Sequence, residues 1–266
     1  MSDSGKTLVA SGLDFKVKDG RPEVPMGTIV SDVLFCDVDG GLATITSLGA
    51  IMKYIFPQEG RFNTVEHLEA LPNVVAQAKG IRLVSIDTLT RYQEGLMLPR
   101  IDTDEYKYKM QDWGYIKNIF TQLGSSCLDF NTHLICTAHV EEREDTSLPA
   151  IGQEYDQMAK KMKNKYPVRM VPALGGAFRN LIDGYFDLVG FLERTKVAIK
   201  GGGEQTAHVL HTRSTERWRA RTRLNFLPDH IVNPTFPKIL KLWEDGKANL
   251  VKGLREANPD VEIVEE

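Results

Sequence analysis

The stretch "LVSIDTLT", residues 83–90, decides the fold. An apolar run this short that stops at a carboxylate reads as a strand buried on both faces, the kind a parallel sheet uses. Two more runs share its form. "GTIVSDVLFCDVDGG" (27–41) ends in Asp37 and Asp39 before paired glycines, and "NTHLICTAHVEE" (131–142) ends at His139. Between them, "TVEHLEALPNVVAQAK" (64–79) and "DWGYIKNIFTQLGSSCLDF" (112–130) carry apolar residues at helical spacing. Strands alternating with helices predict an α/β fold, a mainly parallel sheet flanked by crossover helices.

The last third changes character. "YFDLVGFLERTKVAI" (185–199), "QTAHVLHTRST" (205–215) and "RWRARTRLNF" (217–226) are strand-like and meet around Gly201-Gly202-Gly203. They predict a C-terminal antiparallel extension on the edge of the parallel sheet. A helical pattern from about residue 233 closes the chain. The expected division is a core over 1–245 and a C-terminal helix with a polar tail over 246–266.

With 266 residues, 42% hydrophobic and 26% charged, the chain has the material for one large core, and its net charge of -3 excludes a strongly basic molecule. Local basic stretches remain able to meet phosphates. Cys36, Cys127 and Cys136 lack metal spacing and read as reduced thiols of a cytoplasmic protein. No run is long and apolar enough for a membrane span, and no secretory leader pattern opens the sequence.

Five elements carry chemistry. Gly5-Lys6-Thr7 is the tail of the phosphate-binding pattern G-x-x-x-x-G-K-[ST], whose first glycine falls before Met1. Ser4, Gly5, Lys6 and Thr7 supply its second half: backbone amides, a lysine for phosphates and a hydroxyl for Mg²⁺. Asp87 stands where a strand-end carboxylate holds Mg²⁺, or else caps the next helix. Asp39 is placed to orient an attacking water, or belongs to an Asp-Gly turn. His139 ends its strand where a polar group senses a γ-phosphate, or is structural. Arg217, Arg219, Arg221 and Arg223 alternate and predict one basic strand face, for a phosphate or for solvent.

In this order the elements resemble the RecA-like ATPase core. The blocks "DVDGGL", "SIDTLTR", "TAHVEE", "PALGGAF" and "RARTRLNFLPDHI" are similar to the minimal RecA-like ATPases of phages, AAA-type nucleotide-binding proteins of the single-strand annealing kind. The resemblance implies ATP and Mg²⁺ as cofactors, with Lys6 and Thr7 on phosphate and metal and Asp87 as the Walker B acid. It puts Asp39 in the place of a catalytic glutamate and His139 in that of a sensor glutamine. Arg221 and Arg223 would reach across a subunit interface to a neighbour's ATP.

Two long polar segments, one after Asp87 and one from Glu141 to Gly176, would correspond to DNA-facing loops. Their candidates for phosphate contact are Arg91, Arg100, Lys160, Lys161, Lys163 and Lys165. The implied partners are single-stranded DNA, further copies of the chain in a ring or filament, and a single-strand DNA-binding protein, with no membrane. A non-hydrolysing annealing protein and a helicase or packaging motor are the alternatives. RecA-like folds also place a central strand and a glycine before the phosphate loop. The sequence has neither, so the first strand is expected to be missing, by loss or because the chain starts inside a longer frame. Each ladder hydrogen bond so removed costs about 0.5–1.5 kcal/mol.

Overall fold

The computed structural model describes residues 5–18, 21–78, 80–97, 132–146, 148–156, 160–175, 178–198 and 202–257, with scattered positions between 114 and 129. Helix α1 (Lys6–Ala10) leads into the short antiparallel pair β1 (Lys16–Lys18) and β2 (Arg21–Glu23). Next come β3 (Thr28–Asp37), α2 (Gly41–Ser47), β4 (Ala50–Phe56), α3 (Val65–Gln77), β5 (Leu83–Asp87), α4 (Leu89–Met97) and β6 (His133–Cys136). These four strands form a parallel sheet in the order β4-β3-β5-β6. The α/β architecture expected from the alternating runs is the one observed.

Every residue of β5 is buried. Alternation then sorts the strand side chains into two cores. Leu34, Cys36, Val84 and Ile86 face the layer of α3 and α4, where Phe62, Leu71 and Tyr92 have no exposed surface. Val33, Phe35 and Leu83 face the opposite layer, with Leu8 and Ala10 of α1 and Ile45 of α2. Burial pushes the Cys36 thiol pKa up, so it packs as a small apolar group. Cys136 is half-buried and unbridged, and Cys127 lies outside the described residues.

The polar segment after His139 is more ordered than a loop. It folds into β7 (Val140–Glu144), β8 (Gly152–Asp156), β9 (Lys161–Lys165) and β10 (Val168–Pro172), with β8 pairing β9 and β7 pairing β10. The two pairings share one direction of chain reversal, so they make an arm whose tip is the β8–β9 hairpin. Arg169 and Asp145, both about 5% exposed, pair at 3.1 Å at its base, and Arg169 also donates to Trp218 O at 2.6 Å. A buried guanidinium held from two sides fixes where the arm leaves the body.

Beyond α5 (Phe178–Tyr185) come β11 (Leu188–Val189), β12 (Phe191–Ala198), β13 (Glu204–His211), β14 (Arg221–Thr222), β15 (His230–Val232) and α6 (Phe236–Ala257). The antiparallel extension exists, but among the described residues it is a separate sheet in the order β12-β13-β15, without a ladder to the edge of the parallel one. The expected basic strand over 217–226 is also corrected. Only the β14 pair and an isolated bridge at Trp218 are extended there. Thr215 is the cause: its hydroxyl accepts from Arg217 N at 3.1 Å and its amide donates to Trp218 O at 3.1 Å, which turns the chain. Helix α6 runs unbroken across position 245, and its Phe236 and Leu240 cover the α1 side of the sheet. No helix among the described residues is long and apolar enough to cross a membrane.

Candidate functional site

A parallel sheet brings the carboxyl ends of its strands to one edge, and side chains from four segments meet there. Gly5 precedes α1 with φ +81, a left-handed conformation that favours glycine, and a Cβ on it would stand 2.8 Å from the His208 ring. Among the described residues the first hydrogen bond of α1 runs from Val9 N to Gly5 O, and the amides of Lys6 and Thr7 lie in its opening turn. Lys6 and Thr7 open that helix.

Thr7 Oγ1 donates to Asp87 Oδ2 at 2.7 Å. Thr137, next to Asp87 across the β5–β6 ladder, donates to the other carboxylate oxygen, Oδ1. Gly41 makes room for this arrangement, because a Cβ there would overlap Asp87 Oδ2 and crowd the Thr7 methyl. Asp87 is 1% exposed, and burial raises its pKa more than the two hydroxyls lower it, with Asp39 and Asp37 adding to the rise. The Asp87–Thr88 peptide is cis.

Asp37 and Asp39 part company at the end of β3. Asp37 Oδ1 accepts from Gly40 N at 2.9 Å and holds the turn into α2, while Asp39 faces His139, Oδ2 to Nε2, at 3.7 Å. The field of Lys6 reaches Asp87 and Asp39, which raise its pKa, although burial has the larger effect and the net direction is down. His139 is likewise lowered, by burial first and by Lys6 second, so its ring is neutral at neutral pH. Thr90 Oγ1 accepts from His139 N at 2.9 Å and fixes the strand end.

Protonation of the His139 ring below its ordinary value of 6.5 turns the Asp39 contact into an ion pair, but burial makes that protonation costly in the folded state. His139→Gln lacks the titrating ring, so its melting temperature is expected to fall less than the parent's as pH drops below 6.5, which a pH series of thermal melts checks.

Gly5, Lys6, Thr7, Asp39, Asp87 and His139 are thus brought together, and Ser4 lies outside the described residues. The arginines stand elsewhere. Arg221 Nη1 donates to Asp183 O at 2.6 Å and Arg223 Nη2 to Gly184 O at 2.9 Å, both at the end of α5, while Arg219 pairs with the Asp183 carboxylate at 2.6 Å. Arg91 pairs with Glu94 on the exposed side of α4 at 2.7 Å, and Arg100 lies outside the described residues. Lys160 sits in the hairpin turn with φ +49, and Lys161, Lys163 and Lys165 share one exposed face of β9. Asp156 and Glu154 stand directly across from Lys161 and Lys163, so this face carries both signs.

Thr137, Gly41 and His208 are the functional neighbours that the sequence patterns do not single out. Thr137 had a signal, since it lies two residues before His139 on a strand that must neighbour Asp87. His208 had none: it comes from β13, some 200 residues from the glycine it touches.

A lysine and a hydroxyl at a glycine turn, beside a buried strand-end carboxylate, are the parts of a phosphate and metal site. Residues 2–224 match the AAA domain family. The chain belongs to it. An AAA domain is a nucleotide-binding unit. Among curated proteins the chain matches none. Thr7 Oγ1 and Asp87 Oδ2, hard oxygens that meet over the Cβ-less Gly41, have the donor chemistry that suits a hard divalent cation such as Mg²⁺. Bound there, such a cation would neutralise charge on phosphate oxygens, with Thr7 and Asp87 holding it.

Proposed function

We propose that the protein hydrolyses Mg²⁺-ATP at the carboxyl edge of its parallel sheet and acts on single-stranded DNA in recombination or strand annealing. One observation supports the nucleotide part: Lys6, Thr7, Asp39, Asp87 and His139 converge from α1, the β3–α2 turn and the ends of β5 and β6. The carboxylates of Asp39 and Asp87 outnumber the ammonium of Lys6 beside them, which favours a metal-neutralised triphosphate over a bare one. In this reading Lys6 holds phosphate, Thr7 and Asp87 hold Mg²⁺, Asp39 orients water and His139 reports on the γ-phosphate.

The DNA part draws support from the lysine-bearing arm, whose β9 residues are all exposed. Its carboxylates temper the field, which suits sequence-independent contact with a backbone more than tight binding. Assembly into a ring or filament would let Arg221 and Arg223 exchange carbonyl partners in their own chain for a neighbour's nucleotide.

The test is steady-state ATP hydrolysis with Mg²⁺, with and without single-stranded DNA. The expected result is hydrolysis that single strands raise several-fold, with the increase fading as salt rises. The variant Lys161→Gln, Lys163→Gln, Lys165→Gln should lower the ratio of stimulated to unstimulated rate. Hydrolysis indifferent to DNA removes the recombination reading and leaves an ATPase.

A further inference from the structure

Gly40 and Gly41 look two ways. A Cβ on Gly41 would overlap Asp87 Oδ2 and crowd Thr7, whereas a Cβ on Gly40 would meet Arg61 Nη2 at 3.5 Å. Gly40 also takes φ +94, which favours glycine, so the guanidinium lies against bare backbone. Neighbouring Cα atoms are about 3.8 Å apart, which puts Arg61 Nη2 one residue along the turn from the Thr7–Asp87 pair. The sheet order β4-β3-β5-β6 sets the side from which it comes. Arg61 follows β4, so it reaches the turn of Asp39 from the flank of β3 opposite Asp87.

The main chain at Arg61 is pinned. Phe62 N donates to Asp37 O at 2.9 Å, and the Phe62 ring, with no exposed surface, stacks on Tyr92 with centroids 5.1 Å apart. Asp37 in turn holds the β3–α2 turn through Gly40 N. Arg61 is thus tied by its neighbour's backbone to the strand end that leads to Asp39. Its own side chain is exposed and has no hydrogen bond or ion pair among the described residues. Arg91, whose field also reaches His139, is by contrast already paired with Glu94. A planar fork of donors, anchored at its base and unpaired at its head, suits phosphate oxygens.

The inference rests on reading this edge as an ATP site. In that reading Lys6 and Thr7 hold the phosphates from one side, and Asp39 holds the attacking water beyond the terminal one. Arg61 stands on the Asp39 side. We propose that Arg61 grips the terminal phosphate of the bound triphosphate and makes the site select ATP over ADP. Lys6 and a cation at Thr7 and Asp87 serve a diphosphate as well as a triphosphate. A guanidinium on the far side of the turn finds a partner only in the third phosphate, so its contact is the one that tells the two nucleotides apart.

The full chain and its Arg61→Gln variant are titrated by calorimetry with Mg²⁺ and either ADP or a non-hydrolysable ATP analogue. The variant is expected to bind the analogue about tenfold more weakly and ADP within about twofold of the parent. Arg61→Lys, a point charge without the fork, should recover part of the loss. Arg82→Gln removes the same charge at the opposite edge of the sheet, where Arg82 lies 3.9 Å from Asp32, and should leave both affinities unchanged. Thermal melts without nucleotide should coincide for Arg61→Gln and the parent, because the exposed side chain gives up no described contact. A parent that binds neither nucleotide removes the ATP reading and this proposal together. A parent that binds both overturns this proposal alone if Arg61→Gln keeps the ratio of affinities, weakens both equally, or loses no more than Arg82→Gln. A variant whose only loss is stimulation by single-stranded DNA overturns it in favour of a contact with the strand.

Discussion

Lys6→Ala is expected to lower ATP hydrolysis by about 10²–10³-fold, the usual loss when one preorganised charge or donor is removed from a reacting centre. The side chain lies half-buried within the fields of Asp87 and Asp39. Without it, a site that holds the carboxylates of Asp39 and Asp87 loses a cation that offsets phosphate charge. The fold should survive, because Lys6 opens a short helix whose core contacts come from Leu8 and Ala10. Steady-state hydrolysis and thermal melting check the two halves. A variant that melts like the parent and hydrolyses within fivefold of it would detach Lys6 from the chemistry.

Asp87→Asn separates stability from function in opposite directions. Burial raises the pKa of Asp87, so keeping it ionised at neutral pH costs the folded state free energy that an amide does not. Without nucleotide, the Asp87→Asn protein should melt no lower than the parent and up to ~2–4 °C higher for each kcal/mol relieved. That advantage is greatest at neutral pH. It shrinks as pH falls through the raised pKa toward the ordinary value of 3.8, because the parent then protonates and loses the same cost. Mg²⁺-dependent hydrolysis should drop by about 10²–10³-fold, since the buried carboxylate that accepts from Thr7, and that would hold the cation, is gone. A pH series of melts for both proteins, with hydrolysis at one neutral pH, tests both claims. A lower melting point for the variant at neutral pH would show that the carboxylate stabilises the fold.

The parallel sheet was legible because its strands are continuous apolar runs that end in acids, and burial on both faces leaves that trace in β3 and β5. Lys6, Thr7, Asp39, Asp87 and His139 could be picked out because each closes or opens an element, and in a parallel sheet such ends converge. The arm was not legible. β9 reads "KMKNK", whose lysines mask the period of two, and its structure comes from cross-strand pairing with β8. The arginine segment misled for a related reason: alternation in type is visible locally, while the Thr215 turn that breaks the strand depends on one hydroxyl. His208 meets Gly5 through a contact between distant segments, which leaves no local pattern.

The base of the arm joins regions that are far apart along the chain. On one side of β10, Ala173 N donates to His139 O at 2.8 Å. On the other, Met170 N donates to Arg217 O, Arg219 N donates to Met170 O, and Arg169 reaches Trp218 O. β10 is therefore held between His139 and the segment of Arg217 and Arg219. A displacement of the arm would therefore disturb its contacts to His139 and to Arg217 and Arg219 together.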